Sequence, residues 1–157
     1  MSIKGPVLLY GAGREAVSTR KLLRKIAPDA KIDVCVDSGE ADIKDTTTVP
    51  VSSLIEAFEN KYYQMIVRSP GVSIYKPELV AAKNAGIEIT TNVNLWATHM
   101  RGNTKVIALT GTKGKSTTAK LIYTILQAHG YDVGLAGNIG LPVTELPPHD
   151  YVVLELS

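Results

Sequence analysis

The chain of 157 residues contains one cysteine, Cys35. A single thiol excludes an intrachain disulfide framework and a thiolate zinc site. Charge of one sign is also scarce: 17 basic side chains face 15 acidic ones, for a formal net charge of +2. A general nucleic-acid binder carries a much larger basic excess gathered on one face, so that class is set aside. No apolar run approaches the ~20 residues of a membrane span. The opening stretch, from Met1 to Gly13, lacks the apolar core and cleavage site of a signal peptide. These absences predict a cytoplasmic protein with no nucleic-acid or membrane partner. They leave the oligomeric state open, with a monomer as the default. There is no internal repeat and no low-complexity tract. The 45% apolar and 20% charged residues that are present describe a folded globular chain.

Strand-like and helix-like segments alternate through the first hundred residues. Val7–Tyr10 is a short apolar run ending in Gly11-Ala12-Gly13, as a buried parallel strand does. Apolar residues at helical spacing from Glu15 to Ala27 stop at Pro28-Asp29. Ile32, Val34 and Val36 alternate with Asp33, Cys35 and Asp37, the period-two pattern of a strand. A helix is expected over 51–58, a strand over 63–67, a helix opened by Pro77 and closed by Gly86, and a strand over 87–90. A second unit starts near Arg101, with strands over 105–109, 133–135 and 151–156 and a helix over 116–129. Strand, helix and strand in this order predict parallel sheets with right-handed crossovers. The closing Tyr-Val-Val-Leu-Glu-Leu-Ser reads as a strand without a cap, and a longer natural protein is expected.

Two loops carry chemistry. Gly11-Ala12-Gly13-Arg14-Glu15-Ala16 matches GxGxx(G/A) between a strand and a helix. There the backbone turns tightly, and a diphosphate sits on the helix N-terminus. Asp37 follows about 20 residues later, where such a fold places a carboxylate for ribose hydroxyls. The ligand is NAD or another nucleotide diphosphate, unless the turn serves packing alone. The second loop, Thr110-Gly111-Thr112-Lys113-Gly114-Lys115-Ser116-Thr117, looks like a phosphate cradle after a strand and before a helix. Lys115 reaches terminal phosphates in such a loop, and the Ser116 hydroxyl ligates Mg²⁺. Leu109 stands where GxxxxGK[ST] has its first glycine, so the strict pattern fails. A triphosphate site also needs a metal-organising carboxylate on a neighbouring strand. Glu155, inside an apolar strand, is the candidate, unless it ends the strand facing water. Asn138, in Gly-Asn-Ile-Gly, is a possible ligand contact or simply a turn residue.

These motifs together resemble the Mur ligases of peptidoglycan synthesis. The residues that carry the resemblance are Leu109–Thr117, Gly137-Asn138-Ile139-Gly140-Leu141-Pro142 and Leu154-Glu155-Leu156-Ser157. Ser69-Pro70-Gly71-Val72 and the first glycine loop narrow it to the MurD-like branch. The resemblance implies an α/β chain with a Rossmann-like, UDP-substrate-binding parallel-sheet domain over residues 1–100. The beginning of a P-loop-type α/β ATPase domain would follow over 101–157. It implies an ATP-dependent ligase that activates UDP-N-acetylmuramoyl-L-alanine as an acyl phosphate and joins it to glutamate, with ATP and Mg²⁺ as cofactors. By motif, Gly111, Thr112, Lys113, Gly114, Lys115, Ser116 and Thr117 would hold ATP, and Ser116 and Glu155 the metal. Lys115, Glu155 and Asn138 would form the catalytic set, with Asn138 also touching the muramoyl substrate. Gly13, Arg14, Glu15, Asp37 and Ser38 would hold the UDP, and Ser69, Pro70 and Gly71 would line the substrate's path. The family's amino-acid domain would lie beyond Ser157, so the chain alone is expected to be inactive. Lys113 replaces the asparagine of the common loop. With Ser73-Ile-Tyr-Lys-Pro-Glu78, it suggests a divergent branch associated with L-glutamate in place of D-glutamate, the D form being the prior expectation.

Two rival readings remain at this level. An NAD-dependent oxidoreductase would use Gly11–Gly13 and Asp37 but leave the second loop without a role. A non-catalytic nucleotide-binding module would need its last strand completed by a partner.

Overall fold

The structure, a computed structural model, describes residues 3–39 and 41–156. The final residue of the Leu-Glu-Leu-Ser motif, Ser157, lies outside the described residues. Two compact units are present, Met1–Leu95 and Trp96–Ser157, and each is described by itself.

In the first unit, strands β1 (Val7–Tyr10), β2 (Ile32–Cys35), β3 (Thr47–Thr48), β4 (Met65–Arg68) and β5 (Glu88–Thr90) form one sheet in the order β3-β2-β1-β4-β5. Every pairing is parallel. All four residues of β1 are buried because both faces of the sheet are covered. On one face Val7 and Leu9 pack with Ala16, Leu22 and Leu23 of α1 (Arg14–Ile26). On the other, Leu8 and Tyr10 pack with Leu54 and Phe58 of α2 (Leu54–Glu59) and Leu79 of α3 (Pro77–Asn84). Pro77 opens α3 at its first turn, where its missing N–H costs nothing.

The period-two pattern over 32–37 does form a strand, and β2 is buried throughout, with Asp33 1% exposed. Its carboxylate survives burial because the Tyr63 hydroxyl donates to Oδ2 at 3.0 Å and Lys31 Nζ lies 3.4 Å from the same oxygen. Two elements had no sequence signal. β3 is only Thr47–Thr48, and α4 (Asn92–His99) is a short helix that opens on Asn92, Val93 and Asn94, which are weak helix formers.

In the second unit, β6 (Lys105–Leu109), β7 (Val133–Gly137) and β8 (Tyr151–Glu155) pair in parallel in the order β6-β8-β7. Helix α5 (Lys115–Ala128) buries Ala119 against Val133 and Val153, with Ile122, Tyr123 and Leu126 packed around them. The Val133–Leu135 strand runs on through Gly137, which carries it to the candidate loop.

Candidate functional site

Register assembles the second unit's site. Leu109 and Gly137 both pair with Glu155, so β6, β8 and β7 end level at the sheet's carboxyl edge. The loop after Leu109 leads into α5, and Gly114, left-handed at φ 76°, is the residue that starts the helix. No side chain caps α5. The first amides of a helix have no acceptor within the helix, and its dipole favours an anion there. Lys115 Nζ lies 2.6 Å from the Gly111 carbonyl, so its ammonium bends back over the loop. The Ser116 hydroxyl donates to Glu155 Oε1 at 3.1 Å.

Glu155 is 4% exposed, and its Oε2 is buried without a hydrogen-bond partner. A carboxylate oxygen held this way is costly unless a cation or donor completes it. Among the described residues no group of three or more His, Cys, Asp or Glu is placed to hold a metal ion. A hard cation such as Mg²⁺ needs no such cage; one carboxylate, a hydroxyl, phosphate oxygens and water suffice. Glu155 and Ser116 are a donor pair of that kind. The Asn138 N–H donates to the Glu155 carbonyl at 3.1 Å, which seats the Gly137–Gly140 loop beside the carboxylate. A Cβ at Gly137 would stand 2.1 Å from that same carbonyl, so only glycine allows the approach. Lys115, Ser116, Glu155 and Asn138 thus share one edge, with Gly111, Thr112, Lys113 and Thr117 exposed along the loop and first turn.

The first unit has a second such edge. Its strand order places β2 and β4 on opposite sides of β1, and at that switch point a crevice opens beyond the carboxyl ends of the strands. Gly11–Gly13 forms one rim and Ser69–Gly71 the other. The Ser69 N–H donates to the Tyr10 carbonyl at 2.9 Å, and a Cβ at Gly11 would lie 2.5 Å from Ser69 Oγ. The two loops are therefore in contact. A methyl at Gly13 would meet nothing within 4 Å, so the space before α1 is open, and no side chain caps that helix either. Arg14 is exposed and Glu15 half-buried. Burial raises the Glu15 carboxyl above its ordinary value despite the opposing charge of Arg14.

Asp37 and Ser38 lie exposed just beyond β2. Asp37 Oδ1 takes the Tyr10 hydroxyl at 3.1 Å and Lys76 Nζ at 2.6 Å. The ammonium of Lys76, then the Tyr10 hydroxyl, holds this carboxyl below its ordinary value. Tyr10 also hydrogen-bonds buried Glu78, and burial followed by these two carboxylates pushes its phenol strongly upward. Arg68 donates to the carbonyls of Ser69, Pro70 and Val72, fixing the Ser-Pro-Gly turn. Tyr10, Arg68 and Glu78 carried no sequence signal as site residues, because they lie in apolar or helical runs and meet only through the fold. The remaining clefts open elsewhere. One of about 380 Å³, lined by residues including Thr104, Asp132 and Asp150, lies at the amino edge of the second sheet, away from the phosphate loop.

No family model matches the chain. Its sequence is 35% identical, over 96% of its length, to the "UDP-N-acetylmuramoyl-L-alanine--L-glutamate ligase" of Xylella fastidiosa strain Temecula1. It is equally 35% identical, over 96% of its length, to the "UDP-N-acetylmuramoylalanine--D-glutamate ligase" of Oenococcus oeni. Over nearly its whole length the chain is similar in sequence to Mur ligases. It spans about a third of the length of these curated relatives, 35% and 33% respectively. The Mur-ligase fold is matched as well. A Neisseria meningitides ligase, described as UDP-N-acetylmuramate:L-alanyl-gamma-D-glutamyl-meso-diaminopimelate ligase, superposes on 97% of the chain with a TM-score of 0.54 at 15% identity. The chain covers 52% of that structure. A murein peptide ligase from Psychrobacter arcticus gives a TM-score of 0.52 over 96% of the chain and 37% of its own length.

Proposed function

We propose that the protein carrying this chain is an ATP-dependent amide ligase of peptidoglycan synthesis that joins glutamate to UDP-N-acetylmuramoyl-L-alanine in the cytoplasm. The first unit binds the UDP end of the substrate, and the second supplies the opening of the ATP site. The observation that carries this reading is the buried Glu155 carboxylate, bonded through one oxygen to Ser116 and without a partner on the other, at the foot of a Gly-Lys-Ser loop. The relatives' names supply the substrate class.

Each residue then has a task its position suits. Lys115 and the first amides of α5 neutralise charge on the terminal phosphates, where positioning and electrostatics carry phosphoryl transfer. Glu155 and Ser116 hold Mg²⁺, which when bound would offset phosphate charge. Gly111, Thr112, Lys113, Gly114 and Thr117 shape the cradle, and Asn138 orients the muramoyl end toward it. Gly13, Arg14, Glu15, Asp37 and Ser38 hold the nucleoside diphosphate, with Ser69, Pro70 and Gly71 along the opposite rim. A half-buried Glu15 suits a hydroxyl of the ligand better than its diphosphate, since two anions there would repel. No helix among the described residues is long and apolar enough to cross a membrane.

Titration calorimetry of the chain with UDP-N-acetylmuramoyl-L-alanine, with NAD run in parallel, tests the first unit. Saturable binding of the UDP-sugar and none of NAD is expected, and NAD binding alone would restore the oxidoreductase reading. Lys115→Met is expected to weaken ATP binding at least tenfold, about 1.4 kcal/mol, with the UDP-sugar affinity unchanged. The chain alone is expected to release no phosphate in response to glutamate. L-glutamate is the second reading for the amino-acid substrate, favoured by the Xylella relative's name. Assay of the full-length protein with each enantiomer decides between them.

A further inference from the structure

A polar cluster links the three central elements of the first unit at the mouth of the switch-point crevice. Tyr10 is the last residue of β1, Asp37 follows β2, and Lys76 and Glu78 belong to the segment that leads from β4 into α3. Lys76 therefore reaches past the end of β1, its Nζ 5.5 Å from the Tyr10 ring centroid, to bond Asp37 Oδ1 at 2.6 Å. The same ammonium lies 3.9 Å from Glu78 Oε1. Both protein contacts to the Asp37 carboxylate fall on Oδ1. Oδ2 is left as its acceptor for a ligand, on a side chain that is 62% exposed. Asp37 and Glu78 would otherwise place two negative charges close to an anionic diphosphate.

We propose that Lys76 is a positioning residue of the nucleotide subsite: it fixes Asp37 so that Oδ2 alone faces a nucleoside N–H or hydroxyl, and it offsets the paired carboxylates next to the diphosphate. This rests on the reading of the first unit as a uridine diphosphate site. The groups that face Asp37 are Tyr10 from β1, Cys35 from β2, and Lys76 and Glu78 at the start of α3. Burial raises the Cys35 thiol to about 11 and the Tyr10 phenol further, so neither titrates between pH 5 and 8. With Lys76 in place the Asp37 carboxyl is held low and stays ionised across that range. Without it, the carboxyl returns toward its ordinary 3.8, so acid removes the acceptor at a higher pH.

The experiment measures calorimetric dissociation constants of uridine diphosphate and UDP-N-acetylmuramoyl-L-alanine from pH 8 to pH 3. It compares the unmodified chain with Lys76→Met, Lys76→Arg and the double variant Lys76→Met/Asp37→Asn. The unmodified chain and Lys76→Arg are expected to bind within about threefold of each other with the same pH profile. Lys76→Met is expected to bind about tenfold more weakly at pH 7, or 1.4 kcal/mol, and to begin its acid loss at a higher pH than the unmodified chain. The double variant is expected to lose that pH dependence, which assigns it to Asp37. Binding by Lys76→Met that matches the unmodified chain overturns the proposal, as does weakening that is flat with pH and accompanied by a lowered melting temperature. Failure of the unmodified chain to bind either uridine probe instead overturns the reading of the first unit and takes this inference with it.

Discussion

Gly137 lies so close to the backbone of Glu155 that it has no room for a side chain. The backbone at Gly137 has φ 103°, and a side chain there would collide with the Glu155 carbonyl rather than with a movable side chain. Gly137→Ala is therefore expected to cost at least about 2 kcal/mol, from backbone strain and overpacking together. Chemical denaturation would measure it. At Asp37 and Lys76 the effect is electrostatic and depends on pH. The Asp37 carboxyl is lowered from an ordinary 3.8, so its contribution to stability is complete above that value and lost as pH falls through the folded one. Lys76 is raised from 10.5, so its contribution is complete below that value and lost as pH rises past the folded one. Between about pH 5 and pH 9 the pair is constant. Any difference in melting temperature between the chain and Lys76→Met is expected to shrink as pH falls through the folded value of Asp37.

Among the elements, β2 is buried throughout, Asp33 included. A strand covered on both faces must satisfy any polar side chain from within, and for Asp33 the Tyr63 hydroxyl does most of this. Lys31 adds a longer, largely exposed contact of the kind that contributes little. Asp33 Oδ1 is already buried without a partner. Tyr63→Phe removes the better donor and is expected to destabilise the first unit by about 1–3 kcal/mol. Urea unfolding followed by circular dichroism would register the loss, and an unchanged midpoint would mean that another donor supports Asp33. The level ends of β6, β8 and β7 show the opposite case. Here parallel register turns three separate sequence motifs into one edge, because each strand stops where its loop must begin.

At the scale of the whole molecule, both units leave large apolar side chains open, the first at Ile74 and Tyr75 among others and the second along one helix. The first sheet has covered faces on both sides, with two separate clusters of buried side chains. The second unit leaves Leu121 58% and Ile125 48% exposed on α5, with Tyr131 and Leu141 also exposed. Its strand β6 lies at the edge of the described sheet and is only partly buried. Open apolar surface next to an edge strand favours association. Sedimentation at tens of micromolar is expected to show concentration-dependent self-association of the chain. The double variant Leu121→Lys/Ile125→Lys is expected to suppress it. A monodisperse monomer in both cases would show that this surface is not adhesive.

The sequence alone determined what is local. Short apolar runs ended by Gly-Ala-Gly or Thr-Gly-Thr turns mark buried parallel strands, since chain direction and period are set by neighbouring residues. Pro77 opens a helix and Gly86 follows its end for the same reason. The Gly-Lys-Ser junction likewise identifies a phosphate cradle from adjacent residues. Tertiary structure decided what depends on distant neighbours. Burial of Asp33 and its bond from Tyr63 are of this kind, since alternation cannot report whether a second face is covered. The linkage of Tyr10, Asp37, Lys76 and Glu78 joins residues up to 68 positions apart, which no local pattern encodes. The contact between Ser116 and Glu155, 39 positions apart, exists only because β6 and β8 pair in register. Side-chain type is written residue by residue, but the partner that gives a carboxylate or an ammonium its role is chosen by the strand order of the sheet.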